Sequence, residues 1–296
     1  MEKHIAIAIL FIPGPLVWGS GLFKDSFCMF SIGCLVYCFY MLLEKRTFKL
    51  SLILLGVTSI MLLILIKAYI LVALLPLLII KTILAYKKKA IEKGRKFLFY
   101  TVLFMFYFAF SLVLKRAASY LSAFTAENVL ETIKHQKDYL LSVSIAQDGS
   151  AYDIGDFEPS LNGIVKMIIP AINVTLFRPY PWESKSIIQL FNSLESTAIL
   201  LLTLYLILKR NIFKTIKYIY NDPNLIMCLF FTLIFAFIVG LSSYNFGSLS
   251  RYKIPCTPFY VLFLMILIFK DRSNNNIDDK SSPIVEVDND LKPEHD

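Results

Sequence analysis

Leu50-Ser-Leu-Ile-Leu-Leu-Gly-Val-Thr-Ser-Ile-Met-Leu-Leu-Ile-Leu-Ile-Lys67-Ala-Tyr-Ile-Leu-Val-Ala-Leu-Leu-Pro-Leu-Leu-Ile-Ile80 is an almost unbroken apolar run, and the way it is divided decides the fold. A hydrocarbon core about 30 Å thick takes about 20 helical residues. As one helix the run would measure about 46 Å, too long for an ordinary span. A tight hairpin at Lys67-Ala-Tyr69 instead yields two spans, 50–66 and 69–85. This division puts every dense basic cluster on one side: Lys45-Arg46 with Lys49, Lys87-Lys-Lys89 with Lys93, Arg95 and Lys96, Lys209-Arg210 with Lys214 and Lys217, and Lys270 with Arg272. An excess of Lys and Arg marks the cytoplasmic side of a membrane protein. One uninterrupted span would place Lys87–Lys96 opposite Lys45–Lys49, against that rule.

Outward from this run, further apolar stretches of span length lie at 4–23, 26–43, 97–114, 187–208, 223–241 and 254–269. The expected fold is therefore an all-α membrane protein, a bundle of about eight transmembrane helices. Both termini are cytoplasmic, and one long extracytoplasmic loop covers 115–186. Composition agrees: 57% of the 296 residues are hydrophobic, only 18% are charged, and there are 25 Phe, far more apolar than a soluble domain. The net charge of +8 reflects topology signals in short clusters, so nucleic acid is excluded as a partner. The opening Met1–Ile12 imitates a signal peptide, but Pro13, Pro15 and Trp18 follow in place of a small-residue cleavage site, so a retained span is expected. The five cysteines lie in or beside apolar runs, where they act as small hydrophobes. No disulfide framework, zinc spacing, metal site or cofactor motif is visible. The end of the chain, 271–296, is acidic and free of aromatics, the composition of a disordered tail.

Within the long loop, Leu161, Ile164, Val165, Ile168, Ile169 and Ile172 recur at helical spacing after Ser160, a good N-cap. This predicts a helix lying on the membrane surface, ended or bent by Pro170. A second helix is expected over Thr125–Leu140, and turn chemistry over Gln147–Gly155. The loop closes with Thr175-Leu-Phe-Arg-Pro-Tyr-Pro-Trp-Glu183, where two prolines forbid regular helix.

The candidate chemistry lies on the expected outer face. Arg178, Arg251 and Lys253, with Lys24 and Lys67 in short turns, are suited to clamp a phosphate at the bilayer surface, arginine as a planar fork and lysine as a point charge. The alternative is that they snorkel to lipid headgroups or cap helices. Arg178 and Arg251 are expected to converge on one anion, with Lys253 nearby. Trp182, with Trp18, fits the interfacial aromatic belt. Glu183 suits the N-terminus of the helix that follows. Glu195 lies inside a span, where an ionised carboxylate costs several kcal/mol unless paired. It should face the interior, either as a substrate-cavity residue or bonded to Asn192, Ser193 or Ser196.

Three stretches resemble a known family: Pro13-Gly-Pro-Leu-Val-Trp-Gly-Ser-Gly-Leu-Phe-Lys-Asp25, Phe177-Arg-Pro-Tyr-Pro-Trp-Glu183 followed by Ser193-Leu-Glu195, and Asn245-Phe-Gly-Ser-Leu-Ser-Arg-Tyr-Lys-Ile-Pro255. They are similar to signatures of polytopic proteins of bacterial surface-polysaccharide loci, likened to GT-C type, polyprenyl-phosphate-dependent glycosyltransferases. The resemblance implies an inner-membrane protein that handles a polyprenyl-phosphate-linked glycan on its outer face, with Lys24, Arg178, Trp182, Glu183, Glu195, Arg251 and Lys253 around the substrate. It also implies a carboxylate base in the first outer loop, and there the chain offers only Asp25. Because the opening motif resembles one that longer relatives carry well inside the chain, a short or N-terminally truncated form is expected, active only with a missing portion or a partner subunit. An O-antigen-type polymerase would use the same donor and arginines. A transporter or accessory membrane protein would instead show broken helices and polar residues at mid-depth.

Overall fold

The computed structural model describes residues 12–19, 24–92, 126–146, 150–155 and 160–280. Among them the regular elements are helices: α1 (Pro13–Gly19), α2 (Lys24–Phe39, prolonged by a π-helical turn Tyr40–Glu44), α3 (Leu50–Glu92), α4 (Ala126–Ala146), α5 (Leu161–Phe177), α6 (Ile187–Lys209), α7 (Ile212–Asn221), α8 (Pro223–Ser242), α9 (Phe246–Tyr252) and α10 (Thr257–Lys280). Four stretches are long and apolar enough to cross a membrane: Lys24–Glu44, Leu50–Tyr86, Ile187–Lys209 and Pro223–Ser242. The pair Phe246–Tyr252 and Thr257–Phe269, bent by 64°, makes a fifth if taken as one broken span. Of the expected spans, 97–114 and most of 4–23 lie outside the described residues, as does 281–296.

At Lys67 the backbone leaves the helical region (φ −148°, ψ 74°), and side-chain contacts show what the break does. Lys67 Nζ pairs with Asp25 at 2.5 Å, at the start of α2. Cys38 Sγ, near the far end of α2, donates to the Leu52 carbonyl at 3.2 Å. At that same far end Lys81 pairs with Glu44 at 2.8 Å, and the Tyr86 hydroxyl donates to the Leu43 carbonyl. Residues on both sides of Lys67 thus return to one end of α2, some 20 Å from Asp25. The chain doubles back at Lys67, giving two antiparallel legs of roughly 25–28 Å each. Outward-facing Leu54, Met61, Leu65 and Val72 on these legs are exposed, as hydrocarbon-facing side chains must be.

The central helix is α8: 56% of its apolar stretch is buried, against 33% or less for the other three candidates. Phe231 and Phe235 are fully enclosed. Phe231 meets Phe259 of α10 edge-on at 4.7 Å, and Phe235 stacks with Tyr69 of α3 at 5.8 Å.

Two expectations are corrected. Helix α5 is not ended by Pro170. It runs through Pro170 to Phe177 because the residues beyond are fastened to α8: Ala171 is fully buried, and the Thr175 hydroxyl lies 2.9 Å from the Ala171 carbonyl and 2.8 Å from that of Ala236. Gly240 permits this approach, since a Cβ there would stand 2.3 Å from the Ala171 carbonyl oxygen. Likewise α10 does not stop near 269 but continues to Lys280; extending a formed helix costs far less than nucleating one.

Candidate functional site

The connection between α8 and α10 organises one end of the bundle. Segment 150–155 lies against it: Tyr152 N–H donates to the Tyr244 carbonyl at 3.2 Å and Phe246 N–H to the Ser150 carbonyl at 3.0 Å. Lys137 of α4, almost wholly buried, ties this segment down by donating to the Gly155 carbonyl at 2.5 Å and pairing with Asp153 at 3.3 Å. The Tyr152 hydroxyl donates to the Ser243 carbonyl. Burial pushes the Tyr152 and Tyr244 hydroxyls above the ordinary phenol range, so both remain protonated donors.

One side of the connection walls a cleft of 640 Å³. Tyr244, Ser248 and Tyr252, at spacings of four, line it from α9 and the turn just before it, Lys67 and Tyr69 from the α3 turn, and Ser144 from α4. Asn245 also lines it and donates to the Ser144 hydroxyl at 2.8 Å. The Tyr244 hydroxyl is buried and has no hydrogen-bond partner among the described residues. Lys67 Nζ stands 5.1 Å from the centre of the Tyr252 ring while paired with Asp25, so the one acidic side chain of the expected first outer loop reaches the cleft through that lysine.

The other side faces a buried polar cluster. Lys253 is 3% exposed; its Nζ donates to the Ser196 hydroxyl of α6 at 2.6 Å, and that oxygen lies 3.2 Å from the Arg178 carbonyl. The Arg178 guanidinium grips Glu183 with Nε at 3.1 Å from both carboxylate oxygens and Nη2 closer still. It also lies over the rings of Phe246 at 5.3 Å and Tyr152 at 5.9 Å. Glu183 accepts a further bond from Tyr180 N–H at 2.8 Å, which locks the Arg-Pro-Tyr-Pro-Trp-Glu turn. Glu195 is buried and accepts from Gly14 N–H at 2.5 Å, at the start of α1, where the helix dipole favours a carboxylate.

The structure therefore gathers Arg178, Glu183, Glu195 and Lys253 between the cleft end and the middle of the bundle, but it ties them to other side chains and to the backbone. Trp182 is 80% exposed and stacks on Tyr180 at 4.9 Å. Lys24 and Arg251 are exposed. The aromatic platform of Tyr152 and Phe246 and the place of Tyr252 in the cleft wall were missed by sequence reasoning, which did single out Lys67 as an outer-face cation. Tyr244, Ser248 and Tyr252 at four-residue spacing were the available signal. The break between α9 and α10 lies beside the middle of α8, where the Cys256 carbonyl accepts from the Thr232 hydroxyl at 3.5 Å. No family model, no curated protein and no solved structure matches this chain.

Proposed function

We propose that this chain is a bacterial inner-membrane component of surface-polysaccharide assembly that holds a polyprenyl-phosphate-linked sugar in the cleft at its outer face. The observation that carries the reading is the cleft: hydroxyls, an amide and three tyrosines converge with a lysine at one end of a bundle otherwise clad in hydrocarbon. Sugars are recognised by such hydroxyl and amide groups set among aromatic faces. A polyprenyl tail needs adjoining lipid, and a phosphate suits Lys67, with Lys24 and Arg251 as further cations of that face. In a glycosyltransferase-like reaction Asp25 is the carboxylate to act as base. It can do so only when Lys67 turns from it to the phosphate. Arg178 and Glu183 then serve as the brace that positions the α9 wall.

The break at 253–256 favours a second reading, a transporter of a lipid-linked glycan. A discontinuous span with a buried cation near mid-depth is the architecture in which such proteins place their sites. The two readings share a ligand and differ in turnover.

The test is binding of undecaprenyl-phosphate-linked glucose to the chain in lipid nanodiscs. Tyr252→Ala should weaken binding about threefold to tenfold through loss of the aromatic contact, and Lys67→Met should remove discrimination between the phosphorylated ligand and undecaprenol. Unchanged binding in both would refute the cleft as the site. The chain alone is expected to bind without transferring sugar; turnover abolished by Asp25→Asn would make Asp25 the base and exclude the transporter.

A further inference from the structure

Helix α7 lies between α6 and α8, at the end of the bundle opposite the cleft. Asn211 starts it, accepting from Phe213 N–H at 3.0 Å and Lys214 N–H at 3.3 Å, and Asp222 ends it by capping α8. Its sequence is sharply two-faced. Ile212, Phe213, Ile216 and Tyr220 share one stripe at helical spacing and are 61%, 79%, 58% and 79% exposed, while Ile219 packs on the bundle core. Lys214 and Lys217 are exposed beside that stripe, and Lys209 and Arg210 close the end of α6 just before it. The Arg210 guanidinium lies 6.0 Å from the centre of the Tyr218 ring.

Above this basic patch a groove of 210 Å³ runs between α6, α7 and α10. Its walls are hydrocarbon and ring faces, including Leu206, Ile207, Phe263 and Leu267, and Arg210 stands among its lining residues. An apolar slot that meets a guanidinium, flanked by exposed lysines and by an amphipathic helix linking two membrane-length helices, matches one kind of molecule. Its tail is a hydrocarbon chain, its head is an anion, and both sit at a fixed depth in a bilayer.

We infer that α7 lies in the membrane interface and, with the α6–α10 groove, forms a binding site for an anionic phospholipid. The acyl chain occupies the groove and the phosphate faces Arg210, Lys214 and Lys217. Three complementarities select the bilayer over a protein partner. The exposed stripe is one helix wide, the depth of an interfacial helix. The cations flank it as they do in juxtamembrane basic segments that attract anionic lipid. The groove opens along helices that themselves face hydrocarbon. This site is independent of the cleft and of the reading given for it.

The experiment uses the full chain with Trp18→Phe and Trp182→Phe as background and Phe213→Trp as reporter, in nanodiscs containing equal mole fractions of brominated phosphatidylglycerol or brominated phosphatidylcholine. Both lipids should quench the reporter, and phosphatidylglycerol should do so at lower mole fraction. Lys214→Gln and Lys217→Gln alter exposed side chains and should each reduce that preference about fivefold, with Arg210→Gln reducing it further. Circular dichroism on each variant separates loss of the site from loss of the fold. Absence of quenching by either lipid overturns the interfacial placement. Equal quenching by the two lipids, or a preference that survives both lysine substitutions in a folded protein, overturns the anionic site.

Discussion

Gly14 and Glu195 are far apart in the chain and joined by a hydrogen bond in the fold. A Cβ on residue 14 would stand 2.8 Å and 3.0 Å from the two carboxylate oxygens, so the position accepts no side chain while the carboxylate stays. Gly14→Ala should therefore lower the unfolding temperature in detergent, by the equivalent of about 1–3 kcal/mol for a buried polar group forced from its partner. Glu195→Ala should do the same. The double substitution should cost no more than the larger single one, because the two act on the same contact; additive losses would refute the coupling. That Glu195 faces inward was legible in the sequence, since a carboxylate within a span must be sheltered. Its partner was not, because Asn192, Ser193 and Ser196 lie at hand on the same helix and nothing in the sequence points to α1. Arg178 shows the same limit. Its type predicted a bidentate anion contact, and the anion it meets within the chain is Glu183, five residues on.

At the level of elements, apolar periodicity located α5 but did not say what it packs against. One face of it, with Ala171 and Thr175, meets α8, and another, with Val165 and Ile169 strongly exposed, points outward. A helix with two apolar faces reads in sequence like a helix with one broad face. The discriminating feature is Gly240, whose hydrogen lets the backbones touch. Gly240→Ala should push α5 away, since the atom it meets is a backbone carbonyl that no rotamer change can move. The expected loss is about 1–3 kcal/mol, as for an overpacked core. Thr175→Val, which removes one interhelical hydroxyl contact, should cost less, about 0.6 kcal/mol. Trypsin cleavage at Lys166 should become faster in Gly240→Ala and stay near its original rate in Thr175→Val; the reverse order would refute this account. The break after α9 had a visible signal in Pro255, which disfavours helix at Ile254, yet apolar length alone suggested a straight span.

For the whole molecule, the reversal at Lys67 was readable because charge on either side of an apolar run constrains where the chain can turn. The packing of Asp25, Glu44, Lys81 and Tyr86 around α2 accords with it. Among the described residues Lys45, Arg46, Lys209, Arg210, Lys214 and Lys217 all lie at the end opposite the cleft, so the positive-inside rule predicts that the cleft opens outside the cell. In a cysteine-free background, a cysteine at 248 should react with a membrane-impermeant maleimide in intact cells and one at 214 only after lysis. Reaction of both before lysis would sink the assignment. The bond between Gly14 and Glu195 has a further consequence, in time instead of space. At about 5–20 residues per second of synthesis, α1 emerges on the order of ten to forty seconds before the carboxylate that will hold it exists. Throughout that interval α1 must wait beside the growing bundle with its first amides unclaimed by Glu195, and the fold at this end closes only when α6 arrives.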